Sequence, residues 1–352
     1  MADVLVGIVG MNPASVLVAA RALRPGRVEL FCTTQSQPVA RALEKQIARD
    51  PGADVKLHVW TQNPTLLAAE LDSDRVVVGE GDRVDLDITG GTKTMSIGVW
   101  SGLRSRLGSR LRAIYLDERA ALLEADTGAP AAVGSVIRSD EFLAWTSTTV
   151  NDCVWSGPLT GVSSEYVSRQ GIAERLVDAL AARRPIGAKE TIAESTITLP
   201  RSLPAGFALK GGRLRGPFPD YFRMHAWLEE FCLVEAHRCI GPRADVHAAM
   251  GLQISADRDK DEVDVVLTRG SYLVAIEAKA RESAAGTGAD LHKRIQKTRR
   301  YFGAVTSVIF VQPVWGRRPD RQLADAVDRK VTLVGSDRGE LHAAIKRGLG
   351  LA

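Results

Sequence analysis

Residues 1–140 alternate unbroken apolar runs with amphipathic stretches, and that alternation restricts the fold more than any other feature of the chain. Val4–Val9 holds nothing but apolar residues and one glycine, the pattern of a strand covered on both faces. The same reading predicts strands over Val28–Thr33, Val55–Val59, Arg83–Thr89 and Leu111–Leu116. Between them, helical periodicity predicts helices over Ala14–Leu23, Pro38–Arg49, Thr65–Leu71 and Thr92–Leu107. Asn12 can cap the first helix, and Pro13 suits its first position. Alternation of this kind closes into a doubly wound α/β sheet, largely parallel, which takes ligands at the carboxyl ends of its strands.

One strand-to-helix junction is chemically distinct. Asp87-Ile88-Thr89-Gly90-Gly91-Thr92-Lys93-Thr94 ends a strand and begins a helix. Paired glycines let backbone approach a ligand, and the helix N-terminus presents amide hydrogens and the positive end of its dipole. The Thr92 and Thr94 hydroxyls and Lys93 add to a preference for an anion. The plain alternative is a tight turn with a capping threonine and a surface lysine. Two more polar loops, Gly10–Ser15 and Thr33–Ser36, are expected at the same sheet edge, which favours a pocket. The segment is not a Walker loop and lacks GxGxxG, so a nicotinamide cofactor is poorly supported.

The run Asp87–Met95, D-x-T-G-G-T-K-x-M, resembles the signature of CARF domains, the CRISPR-associated Rossmann folds. The resemblance implies a homodimer with a pocket across its twofold axis for a cyclic oligoadenylate messenger. It implies that Gly90, Gly91, Thr92, Lys93 and Thr94 touch that messenger, with Asn12 and the loop around Thr34 beside them.

Near the other end, Asp261–Thr268 and Tyr272–Ala280 read as two strands joined through Arg269-Gly270-Ser271. Gly270 followed by Ser271 suits a type II′ turn. That turn places Asp264 opposite Glu277 and Glu262 opposite Lys279, all on one face. The other face, with Val263, Val265, Leu267, Val274 and Ile276, is core. Facing Cβ atoms lie roughly 5 Å apart, so the acids repel unless a cation lies between them. A solvated charged face is the plain alternative. Against it, the same face carries Val266, Leu273 and Ala275, which suits a recess. Carboxylate, carboxylate and lysine in this order resemble the PD-(D/E)xK nuclease superfamily, with Asp264 as the first acid and Glu277-Ala278-Lys279 as the ExK. The resemblance implies that Mg²⁺ or Mn²⁺ is held by Asp264, Glu277 and the Ala278 carbonyl.

The remaining sequence sets the frame. Over 352 residues, 45% are hydrophobic, 25% are charged, and the net charge is +4, which fits an ordinary globular protein with an anionic partner. Cys32, Cys153, Cys232 and Cys239 show no metal-ligand spacing and read as reduced thiols. No leader and no membrane-length apolar run is evident, so a cytoplasmic protein that meets no membrane is expected. The pattern weakens between Asp126 and Pro217, apart from a helix over Glu165–Ala182. This divides the chain into a sensor domain (1–140), a linking subdomain (141–216) and a nuclease domain (217–352). In the last, a helix is expected over Met224–Arg238 and strands over Val246–Ile254 and Val305–Gln312. The basic stretch His292–Arg300 lies between the hairpin and that last strand.

The two halves together resemble the cyclic-oligoadenylate-activated CRISPR ancillary nucleases of the Can2/Card family. That resemblance implies an allosteric, homodimeric, metal-dependent nuclease acting on single-stranded RNA or DNA, or nicking duplex DNA. Cyclic tetra-adenylate is its expected activator. The family often has cysteine where this chain has Ala278, which leaves a main-chain ligand intact. A helix carboxylate should join the metal site. Glu230 lies nearer than Glu229 to the apolar sector of Trp227, Phe231 and Val234, which assigns the role to Glu230. Lys293, Arg294, Lys297 and Arg300 fall on one side of the following helix and suit phosphate contacts. His225, His237 and His247 read as structural. Two other functions stay open at this point: a messenger sensor that does not cut, and a restriction or repair nuclease that needs no messenger.

Overall fold

The structure is a computed structural model. It describes all residues except 1–2, 11–12, 50–52, 118–120, 133–136, 146–147, 183–189, 242, 257–258, 281–287, 303–305 and 314–330. The chain divides into two compact units, one of residues 1–148 with 269–271, the other of residues 149–268 with 272–352.

The first unit runs β1 (Val4–Val9), α1 (Ala14–Leu23), β2 (Arg27–Thr33), α2 (Gln37–Ile47), β3 (Asp54–Trp60), α3 (Leu66–Asp72), β4 (Val84–Asp87), α4 (Lys93–Leu107) and β5 (Leu111–Leu116). Two short strands, β6 (Leu122–Glu124) and β7 (Pro130–Ala132), and helix α5 (Ser139–Ala144) complete it. The strand order is β3-β2-β1-β4-β5-β6-β7. The first five strands are parallel and the last two antiparallel. Every residue of β1 is buried, as an apolar strand with helices on both sides must be. Because β1 lies between β2 and β4, successive connections reverse direction beside it. The loops after β1 and β4 therefore flank the topological switch point, where doubly wound sheets bind ligands.

The second unit begins with β8 (Thr149–Asp152), β9 (Trp155–Pro158) and the long helix α6 (Ser164–Ala181). A small antiparallel sheet follows, built from β10 (Thr191–Ala193), β11 (Ala208–Lys210) and β12 (Arg213–Arg215). Then come α7 (Asp220–Arg223), α8 (Ala226–Ile240), β13 (His247–Ala256), β14 (Asp259–Arg269), β15 (Tyr272–Ala278), α9 (Gly288–Phe302), β16 (Ser307–Val311), β17 (Val331–Val334) and α10 (Arg338–Gly348). The main sheet is ordered β17-β16-β15-β14-β13-β8, with β9 also paired to β13. One face is packed by Trp227, Phe231 and Val234 of α8 and Ile172 and Leu176 of α6, against Val265, Leu267, Val274, Ile276 and Ile309. On the other face Ile295 of α9 meets Val308, Phe310, Val331 and Leu333. Among the described residues, no helix is long and apolar enough to cross a membrane.

Boundary differences have local causes. The predicted strand Arg83–Thr89 stops at Asp87, because the Asp87 carboxylate accepts from the Thr89 amide at 2.9 Å and bends the chain. Pro13 is the N-cap of α1 and not its first residue, and Asn12 lies outside the described residues. The helix predicted from Met224 begins only at Ala226, after His225 adopts a left-handed conformation with φ 64°.

Candidate functional sites

In the first unit, three loops meet at the carboxyl edge of β1, β2 and β4. Thr92 caps α4, its hydroxyl accepting from the Met95 amide at 3.3 Å. The Ser96 hydroxyl donates to the Gly90 carbonyl at 2.9 Å. Both glycines are sterically required: a Cβ on Gly90 would lie 2.1 Å from the Ile8 carbonyl oxygen, and one on Gly91, where φ is +69°, 2.3 Å from Ile8 Cγ2. Gly10 also comes close from the β1 loop, since its Cβ would lie 3.1 Å from the Gly91 nitrogen. Ser36, in the β2 loop, donates to the Val9 carbonyl at 2.9 Å. Thr34 beside it is exposed, its amide bonded to the Trp60 carbonyl at 2.8 Å. Gly91, Thr92, Lys93 and Thr94 are exposed at the N-terminus of a 15-residue helix. The predicted residues thus share one edge, apart from the undescribed Asn12.

Beneath this loop lies Asp87, 0% exposed. It anchors the turn: its Oδ1 accepts from Thr89 N, and the Thr89 hydroxyl accepts from the Leu116 amide at 2.8 Å. Burial raises the Asp87 carboxyl above the usual carboxylate range, while hydrogen bonds from Thr89 and Ser15 pull it back in part. A carboxyl whose folded value is raised favours folding fully at pH below the unfolded value, about 3.9. That contribution is lost as pH rises through the folded value. Asp87→Asn keeps the acceptor without the charge. Its stability relative to wild type should therefore increase between pH 4 and pH 8, measured by urea unfolding. Asp87→Ala strands the Thr89 amide and should cost about 1–3 kcal/mol.

At the turn between β14 and β15, Gly270 has φ 53°, while Ser271 is not among the residues of positive φ, which is the type II′ pattern. The turn is local, and it sets the pairing of β14 with β15. Asp264 and Glu277 are 5% and 4% exposed, on a face whose Val266, Leu273 and Ala275 are also buried. The charged face is a recess and not a solvated surface. Asp264 Oδ2 accepts from the Ala278 amide at 2.6 Å and from Lys279 Nζ at 3.2 Å. Lys279 Nζ also lies 3.7 Å from Glu277 Oε2. One ammonium thus serves two buried carboxylates, and its side chain, 29% exposed, reaches the mouth of the recess.

The helix carboxylate differs from the expectation. Glu230 faces away from this group: its Oε1 accepts from Arg169 at 2.8 Å, and the pair is buried. Burial raises the Glu230 carboxyl to about 7, against the pull of Arg169 and Tyr221. Glu229, half-buried, is the residue beside the recess. Its carboxyl is raised to about 9, first by burial and then by the charges of Asp264 and Glu262; Lys279 lowers it and Glu277 raises it further. The apolar sector that pointed to Glu230 marks the side on which a buried arginine waits.

Of the basic residues expected to touch nucleic acid, Lys293 and Arg300 lie exposed on α9 with Gln296 between them. Lys297 is ion-paired to Asp261 at 2.8 Å, and the Arg294 side chain lies outside the described residues. His237 Nδ1 contacts the Leu159 carbonyl at 2.9 Å and His247 Nε2 the Ser156 hydroxyl at 3.5 Å, which suits structural roles. Among the described residues, no three His, Cys, Asp or Glu side chains form a ready-made metal cage. Two hard oxygen donors still fit Mg²⁺ or Mn²⁺, which commonly bind through one or two carboxylates.

Comparison with protein-family profiles and with curated proteins found no match. Solved structures do match. Protein VC1899 from Vibrio cholerae aligns with a TM-score of 0.73 at 12% identity, over 99% of this chain and 98% of that one. Can2 from Sulfobacillus thermosulfidooxidans, in complex with cyclic tetra-adenylate, aligns with a TM-score of 0.65 at 16% identity, over 99% and 97%. A type III CRISPR defence DNA nuclease activated by cyclic oligoadenylate aligns with a TM-score of 0.63 at 19% identity, over 100% of this chain and 53% of that one. This chain spans about half the length of the last protein. Over its whole length the chain shares the fold of these proteins, a Rossmann-like, largely parallel α/β unit followed by a second α/β unit.

Proposed function

We propose that the chain is a cyclic-oligoadenylate-gated, metal-dependent nuclease of type III CRISPR defence, acting in the cytoplasm on single-stranded RNA or DNA. The observation that carries this is the buried Asp264–Glu277 pair sharing the Lys279 ammonium. Two acids this close, shielded from water by an apolar face, persist where a cation offsets their repulsion. Asp264, Glu277 and Glu229 would hold Mg²⁺ or Mn²⁺. The Ala278 amide points at Asp264, and the Lys279 amide points the other way, to the Val311 carbonyl. In extended backbone the carbonyl of a residue lies on the side of its own amide, so the Ala278 carbonyl would be a further ligand. The ion, when bound, polarises a phosphoryl oxygen and lowers the pKa of water. Lys279, flexible and partly exposed, donates to the phosphate or positions the attacking water. Lys293 and Arg300 bind the backbone of the substrate. Replacing both with alanine should weaken nucleic-acid binding and make its salt slope shallower by about 1.4 for a single strand.

The messenger reading rests on the three converging loops at the switch point and on the likeness to a protein solved with cyclic tetra-adenylate. Gly90, Gly91, Thr92, Lys93 and Thr94 hold its phosphates, with Asn12 and Thr34 alongside. A ring presents its phosphates symmetrically, which suits a homodimer that supplies this edge twice. Ile97 and Trp100 on α4 and Leu66, Leu67 and Leu71 on α3 are exposed apolar residues suited to that interface. The messenger shifts the protein only as far as it prefers the active arrangement.

The test is degradation of labelled single-stranded RNA and DNA by the full chain, with and without cyclic tetra-adenylate, in Mn²⁺ or in EDTA. Cleavage requiring both messenger and metal is expected. Equal cleavage without messenger would leave a constitutive nuclease, and messenger binding without cleavage would leave a sensor.

A further inference from the structure

On the reading of Asp264, Glu277 and Glu229 as the metal site, we infer that Arg169, on the long helix α6, is a positioning residue for Glu229, acting through Glu230. The two glutamates are adjacent on α8, so their side chains leave the helix about 100° apart. Which of them faces the recess is decided by the roll of α8 about its own axis. Apolar packing of Trp227, Phe231 and Val234 seats α8 and limits that roll. Directional charged contacts constrain it strongly.

Helix α6 supplies two such contacts from adjacent residues. Arg169, 4% exposed, donates to Glu230 at 2.8 Å, and Gln170 donates to Glu235 at 2.7 Å. Arg169 is itself held, by Glu165 one turn back and by the Tyr166 ring, whose centroid lies 5.8 Å from its guanidinium carbon. Tyr221, fully buried, lies beside the same Glu230 carboxylate. The clamp matters because Glu229 is only half-buried and stands beside the charges of Asp264, Glu262, Glu277 and Lys279. A fixed roll keeps Glu229 directed at the recess whether or not an ion is there. Arg169–Glu230 holds it in place.

The experiment measures Mn²⁺ binding to the full chain by titration calorimetry, with thermal unfolding alongside. Arg169→Met combined with Glu230→Met removes both buried charges and keeps apolar volume, a change that folded proteins often tolerate. The Mn²⁺ dissociation constant should rise about 10-fold or more, as when partners behind a metal ligand are lost. Glu229→Gln should produce a comparable loss, and adding it to the paired variant should add little further, because the clamp acts only through Glu229. Unchanged Mn²⁺ affinity in the folded paired variant overturns the inference, as does a loss that adds fully to that of Glu229→Gln. If the paired variant unfolds, Arg169→Lys decides. Lysine keeps the charge but not the fork, so weakened Mn²⁺ binding supports the inference and unchanged binding overturns it. A wild-type chain that binds no Mn²⁺ sinks the metal-site reading itself, which separates that failure from this one.

Discussion

Glu277→Ala should lower nucleic-acid cleavage by about three orders of magnitude or more, since removing a group on which metal-assisted hydrolysis depends forfeits several kcal/mol of barrier reduction. Cyclic tetra-adenylate binding should be unchanged, because Glu277 belongs to the second compact unit and the messenger loops to the first. The variant should also be at least as stable as wild type. Glu277 is buried on the same face as Asp264, and both depend on Lys279 for compensation. Removing one acid relieves repulsion and leaves Asp264 and Lys279 as a matched pair. Lost activity with a retained or raised melting temperature therefore identifies a chemical role. Single-turnover cleavage, calorimetric messenger binding and thermal unfolding on one preparation check all three.

Gly90→Ala should have the opposite profile. A methyl group 2.1 Å from the Ile8 carbonyl oxygen cannot be accommodated without moving either β1 or the loop. Overpacking of this kind costs about 1–3 kcal/mol. Because α4 begins three residues later with Thr92 as its cap, displacement of the loop also misdirects the helix N-terminus. Messenger binding should fall at least about 100-fold, the loss expected when about 3 kcal/mol of oriented contacts is removed. Basal cleavage without messenger should not change. Gly171→Ala is the control: it lies in α6, nothing would lie within 4 Å of its Cβ, and helix propensity favours the change by about 1 kcal/mol. Messenger titrations and melting temperatures of the two variants check the contrast.

These two sites were legible in the sequence to different depths, and the cause is the range of the interactions involved. The hairpin depends on a two-residue turn and on side-chain alternation, both local, so the common face of Asp264 and Glu277 could be read directly. The parallel sheet could be read from apolar runs such as Val4–Val9, because burial on both faces leaves that mark. The roles of Glu229 and Glu230 could not. The wheel correctly placed Glu230 toward the interior, but the residue it meets there, Arg169, lies 61 positions upstream. A buried glutamate is read as metal-facing only if no buried cation is known, and the Glu165–Arg169 spacing on α6 was the sole local hint. Lys297 was likewise placed on an exposed basic side, while its pairing with Asp261 depends on how α9 lies over β14. The strands β6, β7 and β10 to β12 are three residues each, too short for alternation to register.

The central claim is that Asp264 and Glu277 hold a divalent ion beside Lys279. Diffraction from crystals of the full chain grown with Mn²⁺, recorded at a wavelength where manganese scatters anomalously, tests it most directly. The account expects one anomalous peak within coordination distance of both carboxylates, with the Lys279 ammonium moved off Asp264. A map with no peak in the recess at saturating Mn²⁺, and Lys279 still lying between the two acids, would contradict it.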